Sequence, residues 1–308
     1  MGDAGFMAMP RTEVVEDRFE GIDLWPTADA LAALAEGQIR GAMSVRGAIP
    51  ALAAAAERAA ECLAKGGRLV YFGAGSSGLL ALVDALEIPQ TFSVPQSQIL
   101  VLMAGGMAMT ETLTGGPEDI AELGVADIEA ARLGPDDCVV AASASGSTPY
   151  TVAGLEAARK TGAATVAIAC NASAPLFAHA DIVVFLDSGP EVLAGSTRMA
   201  AGTAQKAAFN MLSTMIAIRL GHVVDGQMVN VRADNAKLRG RAARIIARIA
   251  RVDEKSGIAA LDAADGEVKP AILIAAGAAD AARAEQLLAA HKGNLRAALA
   301  ALGTRETA

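Results

Sequence analysis

A chain of 308 residues with a formal net charge of −8 has no basic surplus with which to displace counterions from a nucleic acid, so that partner class is set aside. Its residues are 53% hydrophobic but only 3% aromatic, so small aliphatic side chains must build the core, and the length suits two domains or one with an appendage. Cys62, Cys138 and Cys170 form no C-x-x-C pair, and His179, His222 and His291 lack ligand spacing. That argues against a metal and for a reducing compartment.

In chain order, the residues up to about Pro26 read as irregular. Met1 to Thr12 mix charges and hold no apolar stretch of signal-peptide length, which points to a cytoplasmic protein. Thr27-Ala28-Asp29 opens an alanine-leucine helix to about Glu36, and a second helical pattern fills Ala48 to Lys65. Then comes an apolar strand, Leu69 to Phe72, a turn on Gly73 and Gly75, and an apolar helix that Ile88-Pro89-Gln90 is expected to stop. Further short apolar runs at Ile99 to Met103, Cys138 to Ala142, Thr165 to Ala169 and Ile182 to Leu186 have the character of strands covered on both faces. Helices are expected between them at Pro117 to Arg132 and Pro149 to Thr161. The expected fold is therefore α/β, a five-stranded parallel sheet with right-handed crossovers, flanked by helices. The apolar segment Met199 to Leu220 is interrupted by Lys206 and Arg219 and fails as a membrane span.

Gly73, Gly75 and Gly78 form G-x-G-x-x-G between a strand and a helix. A dinucleotide site would want an acidic residue at the end of the next strand, and Ala104-Gly105-Gly106 supplies none. No Gly-Lys-Ser/Thr follows, so a Walker loop is excluded. A phosphate monoester held by Ser76, Ser77 and backbone amides remains, or a tight turn without a ligand. A second hydroxyl-rich loop, Ser143-Ala144-Ser145-Gly146-Ser147-Thr148-Pro149, follows the third strand. Capping would explain one of its hydroxyls, not four. Two such loops at strand carboxyl ends favour a phosphate site.

These loops resemble the sugar isomerase (SIS) domain, a phosphosugar-binding fold. The block beginning Gly189-Pro190-Glu191 and running through Gly195-Ser196-Thr197-Arg198 to Gln205-Lys206, with the later Asn210-Met211-Leu212-Ser213-Thr214, Met228-Val229-Asn230-Val231 and Asn235-Ala236-Lys237-Leu238-Arg239, resembles the N-acetylmuramic acid 6-phosphate etherases. The resemblance implies a lyase that removes the D-lactyl ether of a phosphorylated amino sugar without metal or cofactor. It implies Glu87 as the acid for the departing lactate and Glu118 as the base at C2. It assigns substrate binding to the serines and Thr148, to Ser196, Thr197 and Arg198, to Lys206, and to Glu191 as an orienter of sugar hydroxyls. Leu79 and Ser147 stand where the family has arginine, which removes two charge-assisted contacts. An aldose-ketose isomerase and a noncatalytic sugar-phosphate sensor remain as rival readings.

Ten residues of helix from Ser77 place Glu87 roughly 15 Å along, farther than a sugar phosphate spans, so a homodimer with a shared site is expected. The chain divides into a segment 1–47, a phosphosugar-binding domain 48–234 and a C-terminal helical subdomain 235–308. Within the last, Val252 to Ala276 resembles the family's ubiquitin-associated-like tail.

Overall fold

A computed structural model describes residues 10–112, 114–233 and 236–303, without the side chain of Lys237. The part of the signal-peptide reading on residues 1–9, and Asn235 and the side chain of Lys237 in the family motif, lie outside what is described.

Five parallel strands form the sheet: β1 (Leu69–Gly73), β2 (Ile99–Met103), β3 (Cys138–Ala142), β4 (Ala164–Ala169) and β5 (Ile182–Phe185), in the order β2-β1-β3-β4-β5. Every residue of β1, β3 and β4 is buried, which is why they read as unbroken apolar runs. Helices α4 (Ala121–Ala131) and α5 (Pro149–Lys160) cover one face, where Phe72 stacks on Tyr150 at 4.7 Å. On the other face lies α2 (Ile49–Ala64), and Tyr71 meets Phe209 of α6 (Ala200–Arg219) at 5.7 Å. The glycine turn at the carboxyl end of β1, an interior strand, leads into α3 (Gly75–Phe92).

Four expectations need correcting. Helix α1 spans Thr27–Ser44, well past Glu36, because Gly37 and Gly41 act as close-packing positions rather than breakers. A Cβ on Gly41 would lie 2.2 Å from the Ala200 carbonyl oxygen. Pro89 does not stop α3, since its missing amide forfeits a single helical bond. The last turn closes with the Ser93 amide donating to the Pro89 carbonyl at 2.9 Å, and Ser93 turns to φ 51°. The helix expected over Pro117 to Arg132 is two pieces, a 3-10 turn Gly116–Asp119 and α4, separated by Ile120 in extended conformation. Finally, the segment before Pro26 is built of short turns, Arg11–Glu13, Asp17–Phe19 and Ile22–Leu24, with Thr12 fully buried.

Chain contacts sort into two compact units, Met1–Leu86 with Gln96–Ser213, and Glu87–Pro95 with Thr214–Ala308. The second holds a small hairpin, β6 (Val223–Val224) and β7 (Gln227–Met228), joined by Asp225-Gly226 with both φ angles positive. That is the Asp-Gly turn whose twist suits paired strands. Five helices follow: α7 (Ala236–Ala250), α8 (Glu254–Ala263), α9 (Val268–Ala275), α10 (Ala281–Ala290) and α11 (Leu295–Gly303). Their core is aliphatic, with Ile246, Val268, Ile272, Leu273 and Leu295 at zero exposure. Asp253, Asp280 and Asn294 accept from the backbone amides of Ser256, Arg283 and Ala297, satisfying donors a helix start leaves open. The stretch Val252 to Ala276 contains α8 and α9. Among the described residues no helix is long and apolar enough to cross a membrane.

Candidate functional site

Strand order reverses between β1 and β3, where α/β sheets open a crevice beyond their carboxyl ends. In register, Gly73 pairs with Ala142, so the loops that leave these strands start side by side. They line one cavity of about 400 Å³, to which the first loop brings Ser76 and Ser77 and the second Ser143, Ser145 and Thr148. Thr114, Glu118, Thr197 and Glu13 complete its polar wall.

The first loop is shaped by backbone. Gly75 has φ +53°, and a Cβ there would lie 3.1 Å from a carboxylate oxygen of Glu118. Glycine therefore permits both the turn and the approach of the acid. The start of α3 then presents unpaired amides to the cavity. Ser77 donates to Gln205 Oε1 at 2.9 Å, which fixes its rotamer and leaves oxygen lone pairs free.

The second loop is held by its own hydroxyls. Ser143 Oγ shares a 2.8 Å bond with Thr148 Oγ1 and accepts from the Gly146 amide at 3.0 Å. Ser147 donates to Ser145 Oγ at 3.1 Å. Thr148 precedes Pro149 without capping α5 through its side chain, so its hydroxyl belongs to this network. Gly146 has φ +72°, and a Cβ would fall 2.2 Å from that of Ala174.

Glu118 sits on the 3-10 turn that interrupts the expected helix. Burial, with the neighbouring charge of Asp119, raises its carboxyl above the ordinary glutamate value. A half-buried acid that holds its proton more tightly than an ordinary glutamate is suited to taking and returning one.

Six other sequence-derived candidates lie elsewhere. Glu87 is exposed on α3 and does not line the cavity. Glu191 is buried, its two oxygens accepting the Ala200 and Ala201 amides at 2.9 Å each. It caps α6, and those bonds occupy the oxygens expected to meet sugar hydroxyls. Lys206 is exposed and donates to Asn210 Oδ1. Asn210 in turn donates to Asp84 at 2.6 Å, where Tyr71 and Ser213 also donate. Burial raises the Asp84 carboxyl despite these bonds. Ser147, Ser196 and Arg198 stand outside the cavity wall.

Two residues escaped the sequence reading. Glu13 follows buried Thr12, whose amide donates to Asn171 Oδ1 at 3.4 Å and whose hydroxyl accepts from Asn171 Nδ2 at 3.3 Å. Asn171 also donates to the Ser145 carbonyl at 3.1 Å, tying the second loop to the N-terminal turn. Neither residue carries a periodic or motif signal. Only the extended contacts of the fold reveal them.

A sequence profile of the SIS domain matches residues 44–170. The chain is 45% identical over 293 residues to the N-acetylmuramic acid 6-phosphate etherase of Streptomyces avermitilis, covering 94% of this chain and 93% of that one. The protein of that name from Deinococcus radiodurans is 42% identical, over 96% of this chain and 97% of its own. For that of Salmonella typhimurium the figures are 42%, 90% and 94%. Among solved structures, a phosphoheptose isomerase from Francisella tularensis aligns with a TM-score of 0.48 at 19% identity, over 63% of this chain and 98% of that one. With relatives this similar along nearly their whole length, the chain belongs to the N-acetylmuramic acid 6-phosphate etherase family.

Proposed function

We propose that this enzyme is a carbon-oxygen lyase that cleaves the D-lactyl ether of N-acetylmuramic acid 6-phosphate, yielding N-acetylglucosamine 6-phosphate and D-lactate. The observation that carries the reading is the meeting of Glu118 with both hydroxyl loops in one cavity, in a chain of this family. The loops hold the phosphate through serine hydroxyls and the amides at the start of α3. In the open-chain sugar the C2 proton is acidified by the adjacent aldehyde, and Glu118 removes it. The C2–H electron pair forms the C2=C3 double bond as the C3–O bond breaks. Its electrons leave on the lactate oxygen, which takes a proton from Glu87. Water then adds, hydroxide to C3 with its proton returning to Glu87, and Glu118 returns its proton to C2.

Glu87 lies outside the cavity wall of its own chain, so the acid comes from a second copy in a homodimer. The exposed stripe on α3 supports this assembly, since Val83 and Leu86 are 46% and 55% exposed beside Glu87. The reaction belongs to cytoplasmic recycling of cell-wall amino sugars, a compartment that suits three free buried cysteines. Residues 48–234 act as the phosphosugar-binding domain and 235–308 as a supporting helical subdomain. Ser147, Ser196, Thr197, Arg198 and Lys206 complete the substrate's surroundings in the assembled enzyme.

The test is release of D-lactate from N-acetylmuramic acid 6-phosphate by the purified protein. Glu118→Gln and Glu87→Ala should each abolish turnover. Mixing these two inactive variants should restore about a quarter of wild-type activity, because about half of randomly paired dimers are mixed and each mixed dimer holds one intact pair of two. Tight phosphosugar binding without lactate release would sink the lyase reading, and a mixture that stays inactive would sink the shared site.

A further inference from the structure

The cavity wall contains a carboxylate that the proposed elimination does not use. Glu13 is brought there by a turn, Arg11–Glu13, anchored on both sides. Buried Thr12 bonds Asn171 through its amide and its hydroxyl, and its carbonyl accepts from the Gly195 amide at 2.9 Å. Arg11 pairs with Asp187 at 2.7 Å. The Glu13 carboxylate then lies against the loop of Gly195, where an added Cβ would be 2.8 Å from one of its oxygens. The turn is thus a strap laid across the loops, with its acid directed at the cavity.

An ionised carboxylate only accepts hydrogen bonds, and it repels the phosphate that serines and amides attract. Of the groups a phosphosugar brings to this cavity, only its neutral N–H and O–H donors can match such a carboxylate. The donors of an amino sugar, its amide and its hydroxyls, are of that kind. Resting on the phosphosugar reading of this cavity, we infer that Glu13 is a specificity-determining residue that accepts hydrogen bonds from the sugar's neutral donors and so separates phosphosugars from bare phosphate.

The experiment measures binding of N-acetylglucosamine 6-phosphate and of inorganic phosphate by titration calorimetry on the full chain and on Glu13→Gln, with lactate release in parallel. Gln keeps the size and removes the charge. The sugar phosphate should bind about tenfold more weakly or worse, while inorganic phosphate binds unchanged or more tightly. In turnover KM should rise with kcat nearly constant, the pattern of lost uniform binding. Thr12→Val, which removes the latch and keeps the carboxylate, should reproduce the sugar-specific loss with the melting transition retained. An unchanged ratio of the two affinities in Glu13→Gln would overturn the inference while leaving the lyase reading intact. A wild-type protein that binds neither ligand and releases no lactate would overturn both.

Discussion

At the carboxyl ends of β1 and β3 the polar groups answer one another, whereas in the second unit His222, just before β6, and Lys269 of α9 stand almost alone in apolar packing. Ser143, Ser145, Ser147 and Thr148 share three hydroxyl–hydroxyl bonds within one loop, which orders the loop and leaves one hydroxyl hydrogen and several lone pairs for a ligand. Lys269, 7% exposed, has the Gly293 carbonyl at 2.8 Å, and burial pushes its amine down to about 8. Burial, helped by the Lys269 charge, pushes His222 down to about 4, and its Nδ1 has no hydrogen-bond partner among the described residues. The same desolvation that raises the Glu118 carboxyl beside the cavity here only favours neutral side chains. A shifted pKa marks chemistry when it faces a cavity, and packing when it does not.

The largest effect that would break this comparison lies at Glu118. Glu118→Gln should lower kcat by about a thousandfold with the thermal transition unchanged, and steady-state kinetics with calorimetry checks it. The kcat/KM profile of the wild type should show its acid limb above the ordinary glutamate range, as the raised carboxyl of the free protein requires.

Next comes Gly146→Ala. It forces a side chain into φ +72° against Ala174, so it should cost about 2 kcal/mol or more and weaken phosphosugar binding, as read by denaturant titration and calorimetry.

Smaller and reversed in character is the pH response of the helical unit. Between about 8 and 10.5 the unfolded chain holds a proton on Lys269 that the folded chain has released, so stability rises with pH across that window. For His222 the unfolded chain holds the extra proton between about 4 and 6.5, and acidification through that window lowers stability. Lys269→Met should flatten the alkaline limb of a melting-temperature profile, whereas Ser145→Ala should leave it unaltered. The smallest change is expected of Arg296→Ala, which loses an exposed pair with Asp225 and should shift stability by no more than about 0.5 kcal/mol.

What could be read in advance follows the same division. The strands were legible because sequestration on both faces makes them continuous apolar runs, and Val139 and Val140 can be nothing else. The serine loops were legible because hydroxyls repeated beyond what capping needs call for another cause. Pro89 misled because a late proline removes one bond of a helix that tertiary packing otherwise supports. The length of α1 was not legible beyond about Glu36, because at Gly37 and Gly41 a missing Cβ serves contact as readily as flexibility. Glu13 and Asn171 left no trace, since the Thr12–Asn171 contact that associates them joins positions 159 residues apart and no local pattern encodes it. Glu191 was noticed for its place in a motif, yet the helix start it caps becomes visible only with Ala200 and Ala201 in position.

The latch between Thr12 and Asn171 has one more consequence. A ligand that orders the second serine loop must also favour the docked terminus, because Asn171 grips both, and by reciprocity a docked terminus favours the ligand. Occupancy of the cavity is therefore readable from outside it, as slowed proteolytic trimming ahead of Pro26.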